Sequence, residues 1–375
     1  MKTITEKNAT ACVISSYAYI NEHINYGALL QYYALENAFR KHGISTYWLR
    51  YRLASEKKLK HIAKRFIKIL INPRQEKNIR NTLTEFKEFL NTYCHVSDKE
   101  YFTEEELEES CPEADIFITG SDQVWGGILK PNYLCFVPET KYKVSYAASF
   151  GKSYISSEQR EITQDWIRRI DKVSVREKSG LAICEEMGVK AEWLLDPTLL
   201  LNSDEYPVHR LDDKVNIFCY FLNISSNDEV FWSQIVEYSK REMLSLKVSS
   251  NEITIRQFLG KYVELLGPCE WLGRYSDADY ILTNTFHGTV FAIIFHKQFL
   301  VIKQRGESEK QNERLVSLLC MLGLENRFYD PTQPIDEQLH EDIDWQEVDS
   351  CINERREHSE HFIQDIQKNY TKEAK

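Results

Sequence analysis

No stretch of the chain approaches the roughly 20 apolar residues of a membrane-spanning helix, and the opening residues, MKTITEKNATACVI, lack the apolar core of a signal peptide. Basic excess is missing as well: 47 Lys and Arg against 57 Asp and Glu leave a formal charge of -10, which argues against a general nucleic-acid binder. The nine cysteines are scattered without a CxxC pair, and their odd number leaves one over in any disulfide scheme. Cys12 and Cys219 lie inside apolar runs, where a thiol behaves as a small hydrophobe. This usage fits a reducing compartment and no structural zinc, so the expected location is cytoplasmic. Familiar chemical signatures are absent too. There is no HxxxH, no DxD after a strand, no GxGxxG, no GxxxxGK followed by Ser or Thr, and no GxSxG. Metal, dinucleotide, P-loop and serine-hydrolase readings therefore lack a foothold, and no metal or cofactor is expected.

What the chain does contain is an ordinary globular composition, 42% hydrophobic and 28% charged over 375 residues. That length favours two domains. Residues 10–50 read as strand, loop, helix, strand: TACVISS, a polar loop ending at Gly27, ALLQYYALENAFRK at helical spacing, then STYWLRY. Residues 50–87 hold twelve Lys and Arg against three Glu and form a basic, helix-rich insertion, with LKHIAKRFIKILI at 59–71 as an amphipathic stripe. Strand patterns resume at ADIFITG (114–120), YKVSYAASF (142–150), DKVSVRE (171–177) and AEWLLDPTLLL (191–201). A second cycle follows with VNIFCYFLN (215–223), LSLKVSS, ADYILTN (278–284) and KQFLVIK (297–303), separated by helices. Short strands apolar on both faces, alternating with helices, indicate parallel sheets covered on both sides. The expected architecture is α/β. It comprises an N-terminal Rossmann-like domain over 1–200 with the basic helical insertion at about 50–90, a C-terminal Rossmann-like domain over 201–335, and a helical tail over 336–375 that packs back across the junction. A polar, Asp-Pro-containing stretch at 196–207 marks the boundary. Ligands in such sheets bind beyond the carboxyl ends of the strands.

Four polar segments fall where that rule places a site. Asn25, Tyr26 and Gly27 open a helix, where backbone amides and the helix dipole favour an anion; a tight turn capped by Asn25 is the plainer alternative. GSDQVW follows ADIFITG directly, and Ser121, Asp122, Gln123 and Trp125 offer hydrogen bonds and a stacking surface suited to a sugar. A capped loop whose tryptophan packs on the core explains the same residues. Arg176 ends DKVSVRE, where its guanidinium can fork onto a carboxylate or phosphate or pair with a neighbouring acid. The fourth, TNTFHGT (283–289), sets His287 at a strand-to-helix turn with Asn284, Thr285, Gly288 and Thr289 around it. Histidine is the side chain that most readily gives and takes a proton near neutral pH. Lys303, Arg305 and Arg314 follow and give the second domain a positive edge, or else form a solvated charge run.

NYGALLQYYAL (25–35), GSDQVW, SYAASFG (145–151), SVRE (174–177), DPTLLL (196–201), TNTFHGTVFAIIF (283–295) and NERLVSLLCMLGLENR (312–327) stand in this order. Together they resemble the polysaccharide pyruvyl transferase family over residues 10–330. The resemblance implies a GT-B-like fold, two Rossmann-like domains facing a central cleft. It also implies transfer of a pyruvyl group from phosphoenolpyruvate, as co-substrate, to two hydroxyls of a glycan or lipid-linked sugar, giving a cyclic ketal in surface polysaccharide biosynthesis. On that reading His287 is the general acid, Asp122 takes a proton from the acceptor, and Ser121, Gln123 and Trp125 hold the acceptor. Arg176, Lys303, Arg305, residues 25–27 and the turn at 284–289 face the donor's anionic groups. A carrier-lipid acceptor would make the basic segment at 50–87 useful for peripheral contact with the inner face of a membrane. A glycosyltransferase of the same fold using a nucleotide sugar is the competing expectation. The sequence leaves the acceptor sugar and the oligomeric state open.

Overall fold

The structure, a computed structural model, describes residues 9–17, 24–52, 73–222, 229–250 and 260–373. The chain divides into two compact units. Unit 1 comprises Met1–Ser55, Leu90–Leu201 and Asn353–Lys375, and unit 2 comprises Glu56–Phe89 and Asn202–Ile352.

Unit 1 begins with β1 (Ala9–Ile14), α1 (Tyr26–Lys41) and β2 (Ile44–Tyr51). After α2 (Pro73–Tyr93), which runs from unit 2 into unit 1, come β3 (Val96–Tyr101), α3 (Glu104–Glu109), β4 (Ile116–Thr119), β5 (Tyr142–Ser145), α4 (Ser157–Arg168), β6 (Val173–Val175), α5 (Lys178–Glu186) and β7 (Ala191–Trp193). Five strands form one sheet in the order β3-β2-β1-β4-β5, every pairing parallel. Parallel bridges from Val144 to Lys172 and from Ala148 to Val175 lead on to the β6-β7 pair. β4 and β5 are buried at every position, as strands sandwiched between helices must be. Cys12, within β1, is fully enclosed, and burial pushes its thiol up to about 12. It fills space rather than reacting.

Unit 2 repeats the plan with β8 (Ile217–Tyr220), α6 (Glu229–Arg241), β9 (Leu246–Ser249), β10 (Val263–Glu264), α7 (Pro268–Asp277), β11 (Tyr280–Thr283), α8 (Phe286–Ile294), β12 (Gln298–Val301), α9 (Asn312–Met321) and α10 (Ile335–His340). Its sheet runs β10-β9-β8-β11-β12, again all parallel. Relative to their own first strands, the two sheets therefore share one order, 3-2-1-4-5. That order places a topological switch point between the first and fourth strands of each unit. The core of unit 2 joins Ile217, Cys219, Phe231, Trp232, Leu282 and Leu300.

Two sequence expectations need correction. DPTLLL does not extend a strand: β7 stops at Trp193, and Pro197–Leu200 is a 3-10 turn whose start Asp196 caps by accepting from the Thr198 amide. Residues 73–89 group with unit 2 rather than with the first domain, and Glu85 there lies against Gly267. The amphipathic run at 59–71 lies outside the described residues. The last helix, α11 (Trp345–Glu373), has residues from 353 onward in unit 1. There Ser359 Oγ accepts from the Leu195 amide at 3.2 Å, Arg356 donates to the Leu199 carbonyl at 3.0 Å, and the Lys172 ammonium stands 4.1 Å from the Phe362 ring centroid. No described helix is long and apolar enough to cross a membrane.

Candidate functional site

At the switch point of unit 1, β1 and β4 are followed directly by Ser15 and Gly120. Gly120 has φ +112°, and a Cβ there would come within 2.3 Å of the Tyr146 carbonyl, so only glycine lets the chain turn between the strands. Ser15 Oγ donates to the Ser121 carbonyl at 2.9 Å and receives a hydrogen bond from the Gln31 amide of α1 at the same distance, tying the two strand ends together. Asp122 follows with φ 75°, and Ala147 on the adjoining loop has φ 46°. Left-handed backbone at residues other than glycine carries strain that the surroundings must hold.

The Arg176 guanidinium lies beneath this turn, 5% exposed. Its Nη1 meets Asp196 Oδ2 at 2.8 Å, its Nε meets Glu177 Oε1 at 3.1 Å, and its Nη2 stands 3.8 Å from Asp122 Oδ1. Desolvation would lower its pKa, but Glu177, Asp196 and Asp122 outweigh that and hold it above its ordinary value. Ser149 Oγ donates to Glu177 at 2.6 Å, and Ser121 Oγ donates to Asp196 at 3.3 Å and to the Ala147 carbonyl at 3.1 Å. One arginine among three carboxylates gives a cluster of net charge -2 when all are ionised. Asp122 is the most exposed of the three carboxylates, its side chain 14% open against 3% for Glu177 and 0% for Asp196.

At the switch point of unit 2 the tie between strand ends is Asn284. Its Oδ1 accepts from the Leu222 amide at 2.9 Å and its Nδ2 donates to the Leu222 carbonyl at 2.6 Å. Thr285 caps α8, accepting from the Gly288 amide at 3.0 Å, and Thr283 Oγ1 donates to the Tyr220 carbonyl at 2.7 Å. A Cβ on Gly288 would lie 2.2 Å from Thr283 Oγ1. His287 stands in the first turn of α8, 8% exposed, its ring edge-on to Phe286 at 5.2 Å between centroids. Gln304, beyond β12, donates from Nε2 to the Asn284 carbonyl at 2.8 Å, and Asn312 at the start of α9 clasps the Gln304 backbone in both directions at 2.8 Å.

Several sequence assignments change with these positions. Trp125 is fully buried, stacked on Tyr133 with its indole N–H given to the Asn132 carbonyl, so it has no face for a sugar. Ser121, also fully buried, spends its hydroxyl inside unit 1. Gln123 is half-buried with its amide against Gly151. Asn25 caps α1 by accepting from Ala28 at 3.1 Å, while Tyr26 is 1% exposed and Gly27 is buried. Arg176 engages carboxylates of its own unit rather than presenting an open fork to a ligand. Gly288 answers to Thr283 rather than to a ligand, and Thr289 returns its hydroxyl to the Thr285 carbonyl. Lys303 is exposed with its ammonium 4.5 Å from the Phe328 ring centroid, and Arg305 is exposed at the start of a 3-10 turn. Sequence reasoning missed Glu177, Asp196 and Gln304. Asp196 carried a readable signal, an acid between two leucines and a proline, but that stretch reads equally as a domain boundary. A cavity of about 500 Å³ with Glu36, Arg40, Tyr47, His95 and Lys99 in its wall opens at the amino ends of β1–β3, the edge opposite the switch point.

Two all-parallel sheets of the same order, each with its polar cluster at the carboxyl edge, define an α/β protein of the GT-B-like class. Solved structures agree in fold. A UDP-N-acetylglucosamine 2-epimerase superposes with a TM-score of 0.58 at 11% identity, covering 97% of this chain and 96% of that one. A Listeria monocytogenes protein described as a putative UDP-N-acetylglucosamine 2-epimerase gives 0.54 at 9% identity, over 94% and 91%. The UDP complex of S. aureus MnaA gives 0.51 at 11%, over 94% and 90%. No curated protein sequence matches the chain. The family model for polysaccharide pyruvyl transferase matches residues 25–304, and the chain belongs to that family.

Proposed function

We propose that the protein transfers a pyruvyl group from phosphoenolpyruvate to two hydroxyls of a glycan or lipid-linked sugar, forming a cyclic ketal and releasing phosphate. The observation that carries this reading is His287, held in the first turn of a helix at the carboxyl edge of the unit 2 sheet in a chain of this family. The methylene carbon of the enol phosphate must gain a proton before its neighbouring carbon accepts oxygen. His287 Nε2–H or Nδ1–H supplies that proton, a role that contributes about 10²–10⁴-fold in comparable sites. The first sugar hydroxyl adds to the resulting oxocarbenium-like carbon and loses its proton to a general base. Phosphate then leaves with the C–O bonding pair, and the second hydroxyl closes the ketal and releases its own proton. Atoms balance as phosphoenolpyruvate plus diol giving ketal plus phosphate.

Charge distinguishes the two clusters. The unit 1 cluster is net negative and suits hydroxyls, whose protons a carboxylate can take. The donor carries a carboxylate and a phosphate and is favoured where a helix N-terminus and cations stand, as in unit 2. Arg176 serves this scheme by holding Asp122 and its strained turn in place. The fold neighbour solved with UDP supports a second reading, a nucleotide-sugar transferase. Thermal shifts of the native protein separate them: stabilisation by phosphoenolpyruvate and none by UDP is expected, and the reverse would replace this reading with the second.

A further inference from the structure

We propose that the cavity at the amino ends of β1–β3 is a carbohydrate-binding site, separate from the switch point of unit 1. Its volume of about 500 Å³ falls within the range of small-ligand sites, and its walls belong to unit 1 throughout. His95, just ahead of β3, faces it with a side chain 74% exposed. The residue is nevertheless fixed on every side. Its N–H donates to Glu36 Oε2 at 2.9 Å, its carbonyl accepts from the Tyr32 hydroxyl at 2.9 Å and from the Trp48 amide at 2.8 Å, and its ring Nδ1 meets Glu36 Oε1. Glu36 is itself only 2% exposed. An ionised carboxylate only accepts hydrogen bonds, so Nδ1 carries the hydrogen and Nε2 is the ring nitrogen left for the cavity. An exposed imidazole held this firmly has little freedom left to lose when a ligand binds.

The rest of the wall decides which ligand. Arg40 donates to Asn37 Oδ1 and Lys99 to Ser110 Oγ, with the Lys99 ammonium 4.6 Å from the Tyr101 ring centroid; no carboxylate answers either cation among the described residues. Asp98 and Glu113, both exposed, stand in the same wall. A strongly anionic ligand would meet these acids, and a cationic one would meet Arg40 and Lys99. Hydroxyl groups suit both signs, because each can donate to a carboxylate or to Nε2 and accept from a guanidinium or an ammonium. Hydrogen bonds with an ionised partner are also the stronger kind. A neutral polyol therefore matches the wall, and in a chain of the polysaccharide pyruvyl transferase family that polyol is a short oligosaccharide. The site stands apart from the pyruvyl-transfer reading, since it opens at the edge opposite Asp122 and requires no donor.

The test is calorimetric titration with neutral trisaccharides of glucose, galactose, mannose and N-acetylglucosamine, and with galacturonate and glucosamine trisaccharides as their anionic and cationic counterparts. The native chain is compared with His95→Ala, with the double variant Arg40→Ala/Lys99→Ala, and with Lys190→Ala, an exposed control ahead of β7. Each is checked for a native near-UV spectrum. At least one neutral trisaccharide should bind the native chain and protect residues 94–101 from hydrogen exchange. Losing hydrogen bonds to the ligand should raise its dissociation constant at least about fivefold in His95→Ala and at least about tenfold in the double variant, with no change in the control. Should His95→Ala not fold, the double variant carries the comparison. Failure of every neutral trisaccharide to bind, tighter binding of a charged one, or unchanged affinity in the folded variants would overturn the assignment. Each of these results leaves the pyruvyl-transfer reading standing, because that reading is tested by phosphoenolpyruvate.

Discussion

Replacing Arg176 should damage the protein more than replacing any single acid that surrounds it. Arg176→Met removes the guanidinium that Asp122, Glu177 and Asp196 share, and breaking a buried pair from one side costs about 3–5 kcal/mol. Asp196→Asn is the informative partner. Asparagine keeps the shape and can still accept from the Thr198 amide, where Asp196 Oδ1 now accepts at 3.0 Å. Arg176 retains Glu177 at 3.1 Å and Asp122 at 3.8 Å, so the loss should be only about 1–3 kcal/mol, the cost of weakening hydrogen bonds to a charged group. At about 2–4 °C per kcal/mol for units of this size, the two variants should melt roughly 6–20 °C and 2–12 °C below the native protein. Urea unfolding with a common slope gives the free energies directly. The double variant should fall short of the sum of the two losses, because removing a carboxylate relieves repulsion among those left behind. An Asp196→Asn loss equal to or larger than that of Arg176→Met, or strict additivity, would refute the view that excess negative charge governs this cluster.

Gly288→Ala places a methyl 2.2 Å from Thr283 Oγ1. Overpacking there should cost about 1–3 kcal/mol by urea unfolding, and a loss below about 0.5 kcal/mol would show that the turn can give way. Burial lowers the pKa of His42 below its ordinary 6.5, with Glu360 opposing the shift and Lys41 adding to it. The unfolded chain therefore binds more protons than the folded one as pH falls below about 6.5, and stability declines until the folded-state pKa is passed. His42→Gln should flatten the melting temperature between about pH 5 and 7, whereas an unchanged slope would assign the pH dependence to other groups. Trp125→Phe should lower stability through the lost packing on Tyr133 and the lost bond to Asn132, with no change in glycan affinity; weakened glycan binding by the folded variant would return Trp125 to the acceptor site.

The repeated βαβ pattern was legible because strands such as IFIT and IFCY are mostly apolar and are buried at every position, as a sheet covered on both faces requires. β3, sequence VSDKEY, escaped because it is an edge strand with polar side chains, and β10 is only two residues long. DPTLLL looked like strand because a short apolar run has no period to distinguish it from a buried turn. The positions of His287 and Asp122 beyond strand ends followed from the parallel-sheet rule. Their surroundings did not. That Arg176 would reach Asp196, or that Gln304 would reach the Asn284 carbonyl, each across 20 residues, depends on loop paths that no local pattern encodes. Trp125 shows the same limit, since an aromatic after a strand reads alike whether it stacks on a sugar or fills a core.

Pyruvyl transfer is tested by incubating the native protein and His287→Ala with phosphoenolpyruvate and a panel of hexosides in deuterated water, following phosphate release and the mass of the glycan product. The native protein should release phosphate only with a competent diol acceptor. The product should be a pyruvyl ketal whose methyl group carries one solvent deuterium, and His287→Ala should be slower by about 10²-fold or more. Phosphate release at the native rate by a folded His287→Ala variant, or a ketal methyl without solvent deuterium, would contradict it.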